Sequence, residues 1–174
     1  MADIVIRKIE GDRAGDARLP NQPFEIWGRL IPSLENGVWR YTAKRLDAPA
    51  ETCYPDEPYD PARDDALFLG AYDGEKCVGL AVYRKDMFRY LYLDDLKVNA
   101  DRRRQGIGGM LVQSGLRAAR EMGLKGVYAI AQDKNLSACL FYLKQGFAIG
   151  GFDNRCYDGT SQEGQGNVFF YLDA

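Results

Sequence analysis

The sequence predicts a single-domain α/β (α+β) fold built on a mixed, mostly antiparallel sheet. Three observations predict it. Two tight-turn pairs, Asn36-Gly37 and Asp73-Gly74, sit between alternating apolar runs, and such pairs mark hairpins because their residues tolerate positive φ. Beyond Asp86-Met87 the apolar period switches between 2 and 3.6, giving the order β-α-β-α-β-β with no internal repeat. The chain has 174 residues, 46% hydrophobic and 12% aromatic, enough for one core without a disulfide staple or a metal.

Each element has a local reason. Ile4-Val5-Ile6 is a short first strand. Residues 23–46 form a hairpin in which Phe24, Ile26 and Leu30 share one parity around Gly28, and Trp39 and Tyr41 alternate with Val38 and Arg40. Pro32 bends or ends its first arm. Residues 47–65 read as an irregular acidic loop, with seven acids (Asp47, Glu51, Asp56, Glu57, Asp60, Asp64, Asp65) against Arg63 and four of the seven prolines. Residues 67–72 and 76–84 are the second hairpin, and 90–98 a longer strand. Ile107, Leu111, Ala118 and Met122 then fall at helical spacing, with Gln113, Arg117, Arg120 and Glu121 facing away and Gly123 as a stop. Residues 126–131 form a strand, 136–145 a helix ending at Gly146, and 147–152 and 168–172 the last two strands.

Composition excludes several chemistries. There is no histidine, so a Ser-His-Asp triad, a Cys-His pair, an imidazole base and any His-ligated zinc are ruled out. The formal charge of −2 argues against a nucleic-acid binder. No run of about 18 apolar residues suggests a membrane span, and Met1–Arg7 lacks a signal-peptide core. Cys53, Cys77, Cys139 and Cys156 show no C-x-x-C spacing, so reduced cysteines in a cytoplasmic protein are expected, and no metal site is assembled. The acidic loop has two readings, a solvated linker or a negative wall that attracts a cationic substrate.

Two segments carry the chemistry. Arg103-Arg104-Gln105-Gly106-Ile107-Gly108-Gly109 joins a strand to a helix. Its glycines let backbone approach a ligand and leave N–H groups at the positive end of the helix, as a pyrophosphate cradle needs. Arg102, Arg103 and Arg104 add cations beside it. A merely structural turn is the alternative, and the spacing fits neither a Walker loop nor a dinucleotide fingerprint. The second segment, Asp133 to Tyr142 followed by Gly146-Phe147, opens the next helix. There Asn135 suits an N-cap, and Phe141 and Tyr142 suit a core.

Together these residues resemble the GNAT superfamily of acetyl-CoA-dependent N-acetyltransferases. Its signature Gln/Arg-x-x-Gly-x-Gly/Ala is matched by Arg103, Gly106 and Gly108. Its Asn-x-x-Ala-x-x-Phe-Tyr-x-x-x-Gly-Phe block is matched by Asn135, Ala138, Phe141, Tyr142, Gly146 and Phe147. The resemblance covers roughly 67–172, which it makes the acetyl-CoA-binding core, with 1–66 on the acceptor side of the same domain. It implies helices on both sheet faces and a parallel strand pair that splays at the end of the fourth strand. There the backbone of Leu96, Lys97 and Val98 would pair with the pantetheine arm. Arg103 and the amides of Arg104, Gln105, Gly106, Ile107, Gly108 and Gly109 would hold the pyrophosphate. Asn135 would contact pantetheine, and Tyr142 would protonate the departing thiolate.

Residues 23–32 and 35–39, the acidic loop, Cys77-Val78-Gly79, residues 92–96 and 168–172 look like the streptothricin acetyltransferases. This likeness implies a cationic small-molecule amine, the β-lysine arm of an antibiotic, as acceptor. Another acceptor (aminoglycoside, polyamine, amino acid or protein amine) and a catalytically silent acyl-CoA sensor stay open, as does a homodimer. A lysine-like amine has a pKa near ~10.4, so a group must take its proton. Strand alternation puts Asp94 with Tyr92, Leu96 and Val98 near the cofactor end, as base or substrate anchor, and turns Asp95 to the other face. Tyr54, Tyr59, Tyr90 or Tyr92 would line the cleft, offering cation–π contact.

Overall fold

The computed structural model describes residues 3–63 and 65–174. Met1, Ala2 and Asp64, one of the seven loop acids, lie outside the described residues. The architecture is the expected mixed, mostly antiparallel α/β, and the chain forms two compact units.

The first unit comprises the chain up to Pro23, Cys53–Val127 and Ala174. Four strands lie in the order β1 (Ile4–Lys8), β4 (Ala66–Asp73), β5 (Lys76–Arg84), β6 (Tyr90–Val98), all antiparallel to their neighbours. Their numbering follows the chain, with β2 and β3 in the second unit. Strand β5 is apolar on both parities from Cys77 to Tyr83 and is buried throughout that run, as a central strand covered on both faces must be. On one face helix α1 (Ile107–Glu121) packs closely, because Gly79 presents no side chain. A Cβ there would lie 3.2 Å from Ile107 Cγ2 and 3.3 Å from Leu111 Cδ1. On the other face Ile9, Ala17, Tyr59, Phe68, Leu80 and Val82 form one buried cluster. The buried face of α1 is Ile107, Leu111, Val112, Gly115, Leu116 and Ala119. Ala118 is only partly buried and Met122 exposed, which corrects the predicted face.

The second unit comprises Phe24–Thr52 and Tyr128–Asp173. Its ribbon pairs β2 (Phe24–Glu35) with β3 (Val38–Thr52) around Asn36 and Gly37, both at positive φ (50° and 78°), as a two-residue primed turn requires. Pro32 does not end the arm: it pairs with Tyr41. The ribbon also runs longer than predicted. Glu51 pairs with Glu25 and Thr52 with Phe24, so residues 47–52 are strand and the irregular acidic segment begins at Cys53. The unit is completed by β7 (Gly126–Gln132, which starts at the unit boundary), α2 (Leu136–Lys144), β8 (Ala148–Asp153) and β9 (Asn167–Asp173). Strand β9 lies between β7 and β8.

Candidate active site

In the first unit, the turn before α1 has the geometry of an anion cradle. Arg104 (φ 62°) and Gly106 (φ 84°) are both left-handed, and a Cβ on Gly106 would meet open space. The first helical hydrogen bond runs from Met110 N to Gly106 O at 3.1 Å. The amides of Ile107, Gly108 and Gly109 therefore precede any intrahelical acceptor, at the positive end of a 15-residue helix. These backbone donors fit a pyrophosphate.

The neighbouring arginines have other partners. Arg103 donates to three carbonyls, from Nε to Val98 O at 3.1 Å, from Nη1 to Pro23 O at 2.8 Å and from Nη2 to Gln22 O at 3.3 Å. Its guanidinium ties the end of β6 to residues 22–23 rather than standing free beside the cradle. Gln22 strengthens this knot by accepting from Ala100 N. Arg102 pairs with Asp73 at 2.6 Å, which leaves Arg104 as the exposed cation of the three. Leu96, Lys97 and Val98 pair with Ala81, Leu80 and Gly79 of β5. The Lys97 ammonium turns to Asp95, at 3.0 Å.

The same unit holds an acidic cavity of about 520 Å³, lined by Asn21, Tyr54, Pro55, Glu57, Tyr59, Arg84, Asp94 and Asp95. Part of the acidic segment is thus a wall of the cavity. It is pinned by Tyr59, which is 8% exposed and meets Phe68 edge-on at 5.8 Å. It is also latched by Asn21, which bonds Asp56 and Pro55. Tyr90 and Tyr92 are not among the lining residues.

Asp95 shares this cavity with Asp94, which overturns the opposite-face expectation. The cause is a β-bulge: Val82 pairs with Asp95 but Tyr83 pairs with Leu93, so Asp94 is an extra residue and alternation is broken there. Arg84 Nε reaches Asp94 Oδ2 at 2.8 Å. Burial pushes the Asp94 carboxyl above its ordinary range. Arg84 opposes this, while Asp95 and Glu57 push the same way. Burial, then Asp95, Asp94 and Glu57, drive the Tyr59 phenol far above its usual value, so it stays a donor. Glu57 is exposed and has no ion-pair partner among the described residues.

In the second unit, Asn135 caps α2, its Oδ1 accepting from Ala138 N at 3.1 Å. Tyr142, about two turns on, is 8% exposed, with the rings of Phe147 and Phe170 at 5.2 and 5.4 Å. Cys139 is buried and its thiol is raised to about 12 by burial, a small hydrophobe rather than a nucleophile. Sequence reasoning missed Glu57 as a distinct lining group, although the acidic run that contains it was visible. It also missed Arg84, whose only signal was its place at the end of β5.

The GNAT acetyltransferase family model matches residues 33–147. Streptothricin acetyltransferase A of Bacillus subtilis is 34% identical over 160 residues, 90% of this chain and 92% of that protein. Streptothricin acetyltransferase of Streptomyces lavendulae is 29% identical over 136 residues, 72% of this chain and 71% of that protein. A Bacillus anthracis protein assigned as a streptothricin acetyltransferase, solved with acetyl coenzyme A, superposes with a TM-score of 0.90. It is 26% identical and covers 99% of this chain and 100% of that one.

Proposed function

The chain belongs to the GNAT acetyltransferase family, an acetyl-CoA-dependent N-acetyltransferase, and from that premise we propose that its acceptor is streptothricin, acetylated on a β-lysine amine to give antibiotic resistance. The acidic cavity carries this reading. Glu57, Asp94 and Asp95 outnumber Arg84 among its lining charges, and Tyr54 and Tyr59 add aromatic faces, a lining suited to a cationic amine. The similarity to two streptothricin acetyltransferases supports the same acceptor.

The residues divide the work. Acetyl-CoA supplies an activated acetyl thioester, its pyrophosphate held by the amides from Arg104 to Gly109 and its pantetheine by the backbone of Leu96–Val98 and by Asn135. The substrate ammonium gives a proton to Asp94, directly or through water. Burial makes that carboxylate a better base than a free aspartate. The neutral amine then attacks the carbonyl carbon, a backbone N–H near Val98 stabilises the oxygen, and the C–S bond breaks as Tyr142 gives its phenolic proton to the sulfur, while the second proton lost from the nitrogen passes through water and restores the phenol. The amide and free coenzyme A leave. A cytoplasmic location fits four free cysteines, and no helix among the described residues is long and apolar enough to cross a membrane. A homodimer completes the proposal.

The test is thiol release from acetyl-CoA with streptothricin, a polyamine, an aminoglycoside and a lysine peptide assayed separately. Turnover at micromolar streptothricin, with the others slower by orders of magnitude, is expected. Comparable turnover across all four overturns the assigned acceptor.

A further inference from the structure

Strand β2 converges on the residues that open α2 through four contacts, all within the second unit. Leu30 N donates to Asp133 O at 2.8 Å, and Gly28 forms a parallel bridge with Asn135. Trp27 Nε1 donates to Ser137 Oγ at 2.7 Å. The Arg29 guanidinium donates through Nε to Asp133 Oδ2 at 2.8 Å and through Nη2 to Gly164 O at 2.6 Å. Close approach is obligatory: a Cβ at Gly28 would lie 2.4 Å from Leu136 Cδ2 and 2.9 Å from Lys44 O.

Asp133 is the unusual member. It is 1% exposed, and its Oδ1 has no hydrogen-bond partner among the described residues. Arg29 is its sole ion-pair partner among them. An apolar pair would fill the same space without that desolvation, so the charge pair contributes fixed geometry more than stability. What it fixes is the backbone at Asp133, two residues before Asn135. The Asn135 Oδ1 is already taken by the cap, which leaves the side-chain amide hydrogens to donate to a ligand.

We propose that β2 is a clamp on the start of α2 and that Arg29 is a positioning residue for acetyl-CoA, acting through Asp133 on Asn135. The inference rests on the reading that Asn135 contacts the pantetheine arm. Loss of Arg29 leaves a buried carboxylate without its counter-charge, and Asp133 must then move toward water and carry Asn135 with it.

The experiment measures coenzyme A affinity by calorimetry and the KM for acetyl-CoA and for the acceptor separately. Arg29→Met raises the Kd and the acetyl-CoA KM about tenfold, as a displaced binding group does, while the acceptor KM and kcat hold. Arg29→Lys, which keeps the charge on Asp133 but not the Gly164 bond, recovers most of the loss. A variant with a lower Tm but unchanged Kd and KM shows a merely structural role and overturns the proposal. Asn135→Asp keeps the cap and removes the amide hydrogens, separating the two ideas. Full affinity in that variant overturns the Asn135 reading and the clamp with it. Lost affinity there, with full affinity in Arg29→Met, overturns the clamp alone. Should Arg29→Met not fold, Ser137→Ala leaves the indole and its contact with Arg45 in place and removes only the Trp27 bond. It raises the Kd about threefold, the worth of one neutral hydrogen bond, and an unchanged Kd again overturns the proposal.

Discussion

Gly115 sits on the face of α1 turned toward β5, where Tyr83 presses against it. A Cβ there would lie 2.1 Å from Tyr83 Cζ, 2.3 Å from Oη and 2.5 Å from Cε1. The ring has no room to retreat, since Tyr83 is 0% exposed and its hydroxyl donates to Leu111 O at 3.1 Å. Gly115→Ala therefore pushes helix from strand at about 1–3 kcal/mol for overpacking, and breaks a buried hydroxyl–carbonyl bond at about 1–3 kcal/mol. Against this, alanine is favoured over glycine in a helix interior by about 1 kcal/mol. The net is a loss of about 3 kcal/mol, which for a chain of this length lowers Tm by about 6–12 °C. Urea unfolding followed by tyrosine and tryptophan fluorescence and by far-UV circular dichroism measures it. The double variant Gly115→Ala/Tyr83→Leu must cost less than the sum of its single variants, because the leucine removes the clash. A Gly115→Ala protein about 1 kcal/mol more stable than the wild type would mean that helix propensity alone governs the site, and the close approach of α1 to β5 would be wrong.

Three further outcomes follow from the site. Tyr142→Phe keeps the ring between Phe147 and Phe170, so coenzyme A affinity holds while kcat falls about 100-fold or more. Single-turnover kinetics and calorimetry check both halves. Arg84→Met removes the charge that lowers the Asp94 carboxyl, so its pKa rises and the acidic limb of kcat/KM moves to higher pH, because the base works only when ionised. Glu57→Gln removes a raising charge and moves that limb to lower pH, and a pH profile of each variant reads the two opposite signs. Cys53 and Cys156 are exposed and alkylate in the native protein, whereas Cys77, raised to about 11 by burial, and Cys139, raised to about 12, react only on unfolding. Mass spectrometry with and without urea distinguishes them.

Features with a local cause were legible in the sequence. Asn36-Gly37 demanded positive φ and adopts it, Asn135 could cap and does, and Gly106 before a helix could open a cradle and is open. What escaped depends on partners far along the chain. The buried face of α1 includes Gly115, which a hydrophobic tally passes over because it packs by having no side chain, so the face was placed too far toward Met122. Residues 47–52 read as loop from their acids and Pro49, yet they extend β3 because β2 continues past its own irregularity at Ile26/Gly28 and supplies a partner. The three arginines read as phosphate ligands by type. Arg103 instead found three carbonyls and Arg102 a carboxylate, which only the fold brings near.

The bulge at Asp94 is the most consequential of these. In a regular strand two consecutive aspartates face opposite sides, and one of them would be buried against an apolar layer at prohibitive cost. The extra residue in β6 is set by the register of β5, so nothing in Tyr92–Leu96 announces it. Once it forms, Asp94 and Asp95 share one cavity, and their proximity has an electrostatic result. The Asp95 carboxylate adds to burial in raising Asp94 and Arg84 opposes both, while Lys97 lies 3.0 Å from Asp95 as its counter-charge. A strand without the bulge would leave Asp94 alone beside Arg84, a more acidic and weaker base. On the proposed mechanism, one inserted residue thus makes a pair of surface-type acids into a site that would attract a cation and then accept its proton.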